Sequence, residues 1–240
     1  MGWSYAFWKG AFYPKALAAK DFLAYYSRKI NSVEVNNTFY QIPTEKTFAE
    51  WKKQTPDGFK FSLKFPARIT HIKMLKNTQE ETRVFLERAR VLEEKLGVLL
   101  IQLSPTFGID RFSDLSRFLS ELPKDYLYSL EIRNKSLLND RVYTLLKENK
   151  VALAWIDATK TPVETTVTSS FIYVRWEGDR KVIDGTKGMI EQDRSANIMN
   201  WAAKLEKLLN SNTEVFGYFS KYYSGLPTAD ATRLMESVRN

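Results

Sequence analysis

The chain has 240 residues, 44% hydrophobic and 27% charged, which is the composition of a globular protein rather than a disordered one. Thirty-six Lys and Arg against 28 Asp and Glu give a formal charge of +8, which either favours anionic partners or is simply a basic solvated surface. There is no cysteine and only one histidine, so disulfides, zinc–thiolate and iron–sulfur sites, a cysteine nucleophile and a histidine-rich metal centre are all excluded.

Short β-branched and aromatic runs predict strands at 32–39, 59–65, 98–104, 128–133, 151–157, 171–176 and 214–220. Helical patterns fill the gaps at 20–29, 45–54, 78–96, 110–121, 138–149, 188–209 and 228–239. Gly97 is placed to cap the C-terminus of the third helix, and Asp110 the N-terminus of the fourth. The Thr-rich stretch from Ala158 to Ser170 has no helical period and reads as a loop. Runs such as Val98 to Ile101 and Val151 to Ile156 are apolar throughout, as strands covered on both faces are. Regular β/α alternation over 1–240 predicts a single α/β domain of the TIM (β/α) barrel type, irregular or lacking its first strand, since eight strands give the regular closure. A doubly wound open sheet is the alternative. No apolar run is long enough to span a membrane and the N-terminus lacks a signal-peptide pattern, so the expected location is cytoplasmic.

In a barrel of this class the C-terminal ends of the strands form the active face. Charged or amide groups recur there: Glu34 and Asn36, Lys64, Gln102, Glu131 and Arg133, Asp157, and Arg175, with Tyr218 on the last strand. Residues two apart on a strand share a face, so Glu34 and Asn36 point to one side, as do Glu131 and Arg133. Glu131 and Asp157 are the candidate proton carriers, with Glu34 and Glu177 as further carboxylates. Lys64, Arg133 and Arg175 are candidate anion ligands, and His71, in the loop after the second predicted strand, assists. Each residue also has a plain structural role open to it, as a buried ion pair or a partner for backbone groups. The aromatic opening offers Trp3, Tyr5 and Trp8 either as a stacking platform or as a plug. The basic run Lys60, Lys64, Arg68, Lys73 and Lys76 would either follow a phosphate backbone or simply be solvated. No Gly-rich phosphate loop, G-x-S-x-G or H-E-x-x-H motif occurs, and no nucleotide cofactor or dedicated metal site is expected, although an all-carboxylate magnesium or manganese site stays open.

Several segments in order resemble the YecE-like family, domain of unknown function 72. They are Gly2-Trp3-Ser4-Tyr5 with Trp8, Gly10 and Phe12-Tyr13-Pro14; Val33 to Asn36 with Thr38-Phe39-Tyr40 and Pro43; Phe59-Lys60-Phe61 with Lys64; and Thr70-His71. Further on come Leu99 to Gln102 with Pro105, Glu131-x-Arg133, Asp157, Tyr173-x-Arg175 with Gly178, and Tyr218-Phe219 with Gly225 and Ala231. The resemblance implies a TIM-type barrel with these polar groups at one mouth, and brings no established reaction. Relatives usually carry a short strand ahead of the Gly2 segment. Ser104, Glu177 and Lys221 stand where a proline, a histidine and an asparagine are frequent.

The expected function is a hydrolase or lyase, metal-independent or using carboxylate-bound metal, on an anionic small molecule or nucleic acid. Two alternatives are a carbohydrate-active enzyme using paired carboxylates and a non-catalytic nucleic-acid binder.

Overall fold

The apolar runs become strands that bury both faces. A computed structural model describes residues 1–158, 163–209 and 213–238. The described residues form seven strands, β1 (Ser32–Val35), β2 (Lys60–Lys64), β3 (Leu96–Gln102), β4 (Leu127–Glu131), β5 (Val151–Asp157), β6 (Phe171–Trp176) and β7 (Glu214–Phe219). Sheet order follows chain order from β1 to β7. The β2–β3, β3–β4, β4–β5 and β6–β7 pairs are parallel. Parallel neighbours need long crossovers, and helices supply most of them. The helices of the described residues are α1 (Phe22–Ser27), α2 (Glu45–Gln54), α3 (Gln79–Ala89), α4 (Phe112–Glu121), α5 (Asp140–Glu148), α6 (Ser195–Leu209), α7 (Lys221–Ser224) and α8 (Pro227–Ser237), of which α2 to α6 lie between strands. Sequential parallel strands with helical crossovers are the TIM-type α/β class.

The chain packs as two compact units. The terminal unit comprises Met1–Val33, Trp155–Glu164 and Phe171–Asn240; the middle unit comprises Glu34–Ala154 and Thr165–Ser170. In the terminal unit Trp176 stacks on Phe219 at 4.2 Å, and α6 and α8 add Trp201, Leu205 and Leu234 to the same core. In the middle unit Phe65 meets Phe85 at 4.8 Å and Phe118 at 6.0 Å.

Four local expectations change. The first strand ends at Val35 rather than Phe39, because Asn36 turns into helical backbone and 37–39 form a 3-10 turn. The Thr38 hydroxyl, close to both Lys64 O (2.7 Å) and Val35 O (3.1 Å), fastens that turn. The third helix ends at Ala89 and gives way to a 3-10 segment broken at Glu93, whose φ is 48°. Gly97 is therefore not a helix cap. It lies within β3, where an added Cβ would stand 3.0 Å from Ser62 Oγ and 3.3 Å from Phe61 O. Asp110 sits inside the 3-10 turn Ile109–Arg111, and α4 starts after Arg111 with no side-chain cap. The helix expected over 188–209 begins only at Ser195, whose N–H donates to Asp193 Oδ1 at 2.9 Å. Of the Thr-rich stretch, residues 159–162 lie outside the described residues, and 163–170 form neither helix nor strand.

On α8, Asp230 is 4% exposed and accepts a 2.6 Å hydrogen bond from Ser224 Oγ. Burial drives its carboxyl up to about 7, against the smaller downward pull of Ser224, Arg233 and Arg194. The folded chain therefore holds this proton over a range where the unfolded chain has lost it, and the associated stability is full below about pH 4. It declines as pH rises through about 7, by up to about 4 kcal/mol at one unit per 1.36 kcal/mol. Urea titrations of wild type and Asp230→Asn between pH 4 and 8 should show this loss only in wild type. Parallel curves would refute it.

Candidate functional site

In the middle unit, register brings the polar strand ends together. Gln102 and Glu131 are direct partners across β3 and β4. Gln102 Nε2 donates to Glu131 Oε1 at 2.8 Å, and Arg133 Nε donates to the same oxygen at 2.8 Å. Glu131 is 2% exposed whereas the Arg133 side chain is 36% exposed. The arginine is thus anchored by Nε and reaches outward, and its two terminal nitrogens have no hydrogen-bond partner among the described residues. At the end of β1 the Asn36 amide donates to buried Glu34 Oε1 at 3.0 Å. Lys64, closing β2, places its ammonium 3.9 Å from the Phe39 ring centre, a cation–π contact.

His71 comes from an unusual loop. Arg68–Ile72 form a π-helical turn, closed where the Lys73 N–H meets Arg68 O at 2.9 Å. Met74, Leu75 and Asn77 follow in left-handed backbone, with φ of 47°, 66° and 54°. π-turns and strained non-glycine residues concentrate at functional positions because the surrounding structure must hold them there. Glu81 clamps the loop to α3 through Arg68 (3.0 Å) and Lys73 (2.6 Å), and these two cations push its carboxyl down to about 2. Lys60 Nζ donates to Glu94 O at 2.7 Å. Three members of the basic run thus have structural partners.

The His71 ring stands edge-on to Phe39, centres 4.9 Å apart, and its Nδ1 lies 2.9 Å from Thr70 Oγ1. That hydroxyl also reaches Pro66 O at 3.3 Å, which can only accept. With its one hydrogen given to the carbonyl, the hydroxyl accepts from Nδ1–H and leaves the Nε2 lone pair bare. Nε2 has no hydrogen-bond partner among the described residues. Partial burial, then the charges of Lys64 and Arg133, hold the imidazole below its ordinary 6.5, with Glu131 opposing. His71 is therefore neutral at neutral pH, within electrostatic reach of two cations and a carboxylate.

The remaining expected residues lie in the terminal unit. Asp157 Oδ2 accepts the Trp201 indole N–H at 2.7 Å. Arg175, 3% exposed, pairs with Glu177 at 2.5 Å and lies 3.4 Å from Met1 Sδ. Tyr5 packs on Trp8 (4.8 Å), while the Tyr13 hydroxyl donates to Trp3 O. Trp8 is 1% exposed, ringed also by Phe12 and Tyr13, so its indole is core packing. Trp8 and Tyr218 line an apolar cavity of about 240 Å³ with Tyr26, Trp176 and Leu234. The side chains that line that cavity carry no charge. The sequence gives Phe39 and Thr70 only as parts of the family resemblance and gives Trp201 no role. Thr70-His71 was a readable signal, because a hydroxyl next to an imidazole can fix its tautomer; the Trp201–Asp157 bond had no local signature.

Among the described residues no group of three or more His, Asp or Glu side chains is placed to hold a metal ion. No helix among them is long and apolar enough to cross a membrane.

The sequence profile described as "Protein of unknown function DUF72" matches residues 1–240. The chain belongs to the DUF72 family. A curated relative, the UPF0759 protein YecE of Escherichia coli strain K12, is 37% identical over 109 residues, 45% of this DUF72 chain. The chain spans only 40% of that relative's length. A DUF72 family protein from Thermotoga maritima MSB8 superposes with TM-score 0.77 at 22% identity, covering 100% of this chain and 97% of the other. One from Enterococcus faecalis V583 gives 0.76 at 23% identity, over 91% and 93%. These likenesses establish a common fold for DUF72 chains.

Proposed function

We propose that this DUF72 chain is a hydrolase or lyase acting on an anionic substrate, with the acting groups in the middle unit. What carries the reading is a set of unused donors and one unused acceptor, the outward terminal nitrogens of Arg133 and the bare Nε2 of His71, whose imidazole feels the Arg133 charge. A guanidinium edge matches two oxygens of a phosphate or carboxylate, and Lys64 adds a second positive charge. His71, kept neutral, takes a proton from an attacking water or from a carbon next to the anionic group. Glu131, tied to Gln102 and Arg133, aims the guanidinium. Its part is thus positioning, where the sequence suggested proton transfer.

Phosphate binding is the test. At phosphate ten times its Kd, against chloride at equal ionic strength, Tm should rise by about 3–6 °C. Arg133→Ala should lose the rise and keep the fold, the side chain being partly exposed. Equal melting in both salts would remove the anion site and give the carbohydrate reading precedence.

A further inference from the structure

Among the described residues, the two most exposed large apolar side chains belong to residues next in sequence to the site's rings. Tyr40 is 84% exposed and Ile72 is 74% exposed. Single exposed apolar residues are ordinary. These two, however, directly follow Phe39 and His71, the pair in edge-on contact. Tyr40 meets Phe39 edge-on at 5.2 Å, and the Phe39 ring also receives Lys64 Nζ. One phenyl ring therefore links an exposed tyrosine, an imidazole and an ammonium group. Both apolar side chains stand on fixed backbone. The Tyr40 N–H donates to Asn37 O at 3.1 Å, closing the turn fastened by Thr38, and Ile72 ends the π-turn clamped to Glu81.

A rigid aromatic surface one ring away from the Lys64 ammonium suits a ligand with a charged head and a flat apolar body. Tyrosine offers such area at little entropic expense, since only two torsions are frozen. A polyol phosphate would leave that surface wet.

We propose, resting on the anion-site reading above, that the substrate's anionic group is carried on a planar aromatic body, as in an aryl or nucleobase-bearing phosphate monoester. The body lies on Tyr40, whose ring adjoins the same Phe39 ring that Lys64 contacts, and the phosphate sits at Arg133 and Lys64. Stacking on an aromatic side chain is of a size to change affinity on the order of tenfold.

The experiment is calorimetric titration with inorganic phosphate, glycerol phosphate and phenyl phosphate against wild type, Tyr40→Ala, Tyr40→Phe and Arg133→Ala. Phenyl phosphate should bind wild type about tenfold more tightly than the other two. Tyr40→Ala should erase that advantage without changing phosphate affinity, Tyr40→Phe should keep it, and Arg133→Ala should weaken all three. If phosphate binds but phenyl and glycerol phosphates bind alike, the aromatic body is wrong and the anion site stands. If none of the three binds wild type, the anion site fails and this inference with it.

Discussion

Glu131→Ala is expected to lower stability by about 3–5 kcal/mol, because it breaks a buried charge network from its centre. One oxygen of this 2%-exposed carboxylate takes both the Gln102 amide and the Arg133 guanidinium. Without it, the 2%-exposed Gln102 amide loses its acceptor and Arg133 keeps its charge without its anchor. The phosphate-dependent rise in Tm should disappear as well, since the fork is no longer aimed. Glu131→Gln should fall between, as its amide oxygen still accepts while its NH2 opposes the guanidinium. Urea denaturation at pH 7 measures the stability and a phosphate titration the aim. A loss below about 1 kcal/mol in Glu131→Ala would mean that other groups hold the network together.

Gly178→Ala should destabilise by about 4 kcal/mol or more, through close packing rather than charge. Gly178 follows β6 with φ of 68°, and an added Cβ would lie 1.9 Å from Tyr222 O and 2.5 Å from Tyr223 Cα. Both are backbone atoms, and the neighbouring Asp179 N–H donates to Tyr222 O at 3.1 Å, so relief means pulling α7 off the end of β6. Gly58→Ala is the control. Its φ is 80° but nothing lies within 4 Å of the added Cβ, so it should show the conformational penalty alone, about 1 kcal/mol. Similar losses for the two variants would show that φ, not the clash, sets the effect.

Much of this fold could be read in advance because its signals are local. Val151–Asp157 and Phe171–Trp176 are strands at the expected bounds, and α2 spans Glu45–Gln54 as its period implies. Two-residue alternation put Glu34 with Asn36 and Glu131 with Arg133 on shared faces; each pair is hydrogen-bonded, although Asn36 and Arg133 lie just beyond their strands. Departures arise where a bond between distant residues overrides propensity. Thr38 ends β1 early by reaching Lys64 O, 26 positions away. Gly97, which suited a helix end, is held in β3 against Ser62. Side-chain partners were the least legible layer. Nothing near Arg175 distinguishes a ligand-binding guanidinium from one paired with Glu177, and nothing near Asp157 announces Trp201. His71 is set apart by its loop's backbone angles, which no local sequence signal announces.

Those angles also bear on how the chain would respond to selection. Met74, Leu75 and Asn77 hold left-handed conformations that side chains disfavour, so each gives up of order 1 kcal/mol to keep the His71 loop in shape. Glycine at 74 or 75 would relieve that strain in the native state, but would also let the loop sample other paths. Lineages or libraries screened for heat resistance alone would be driven toward such changes, and ligand recognition would drift without any loss of melting temperature. Resistance to heat and fidelity of the site are therefore separable traits in this chain, and a handful of dihedral angles sets the exchange between them.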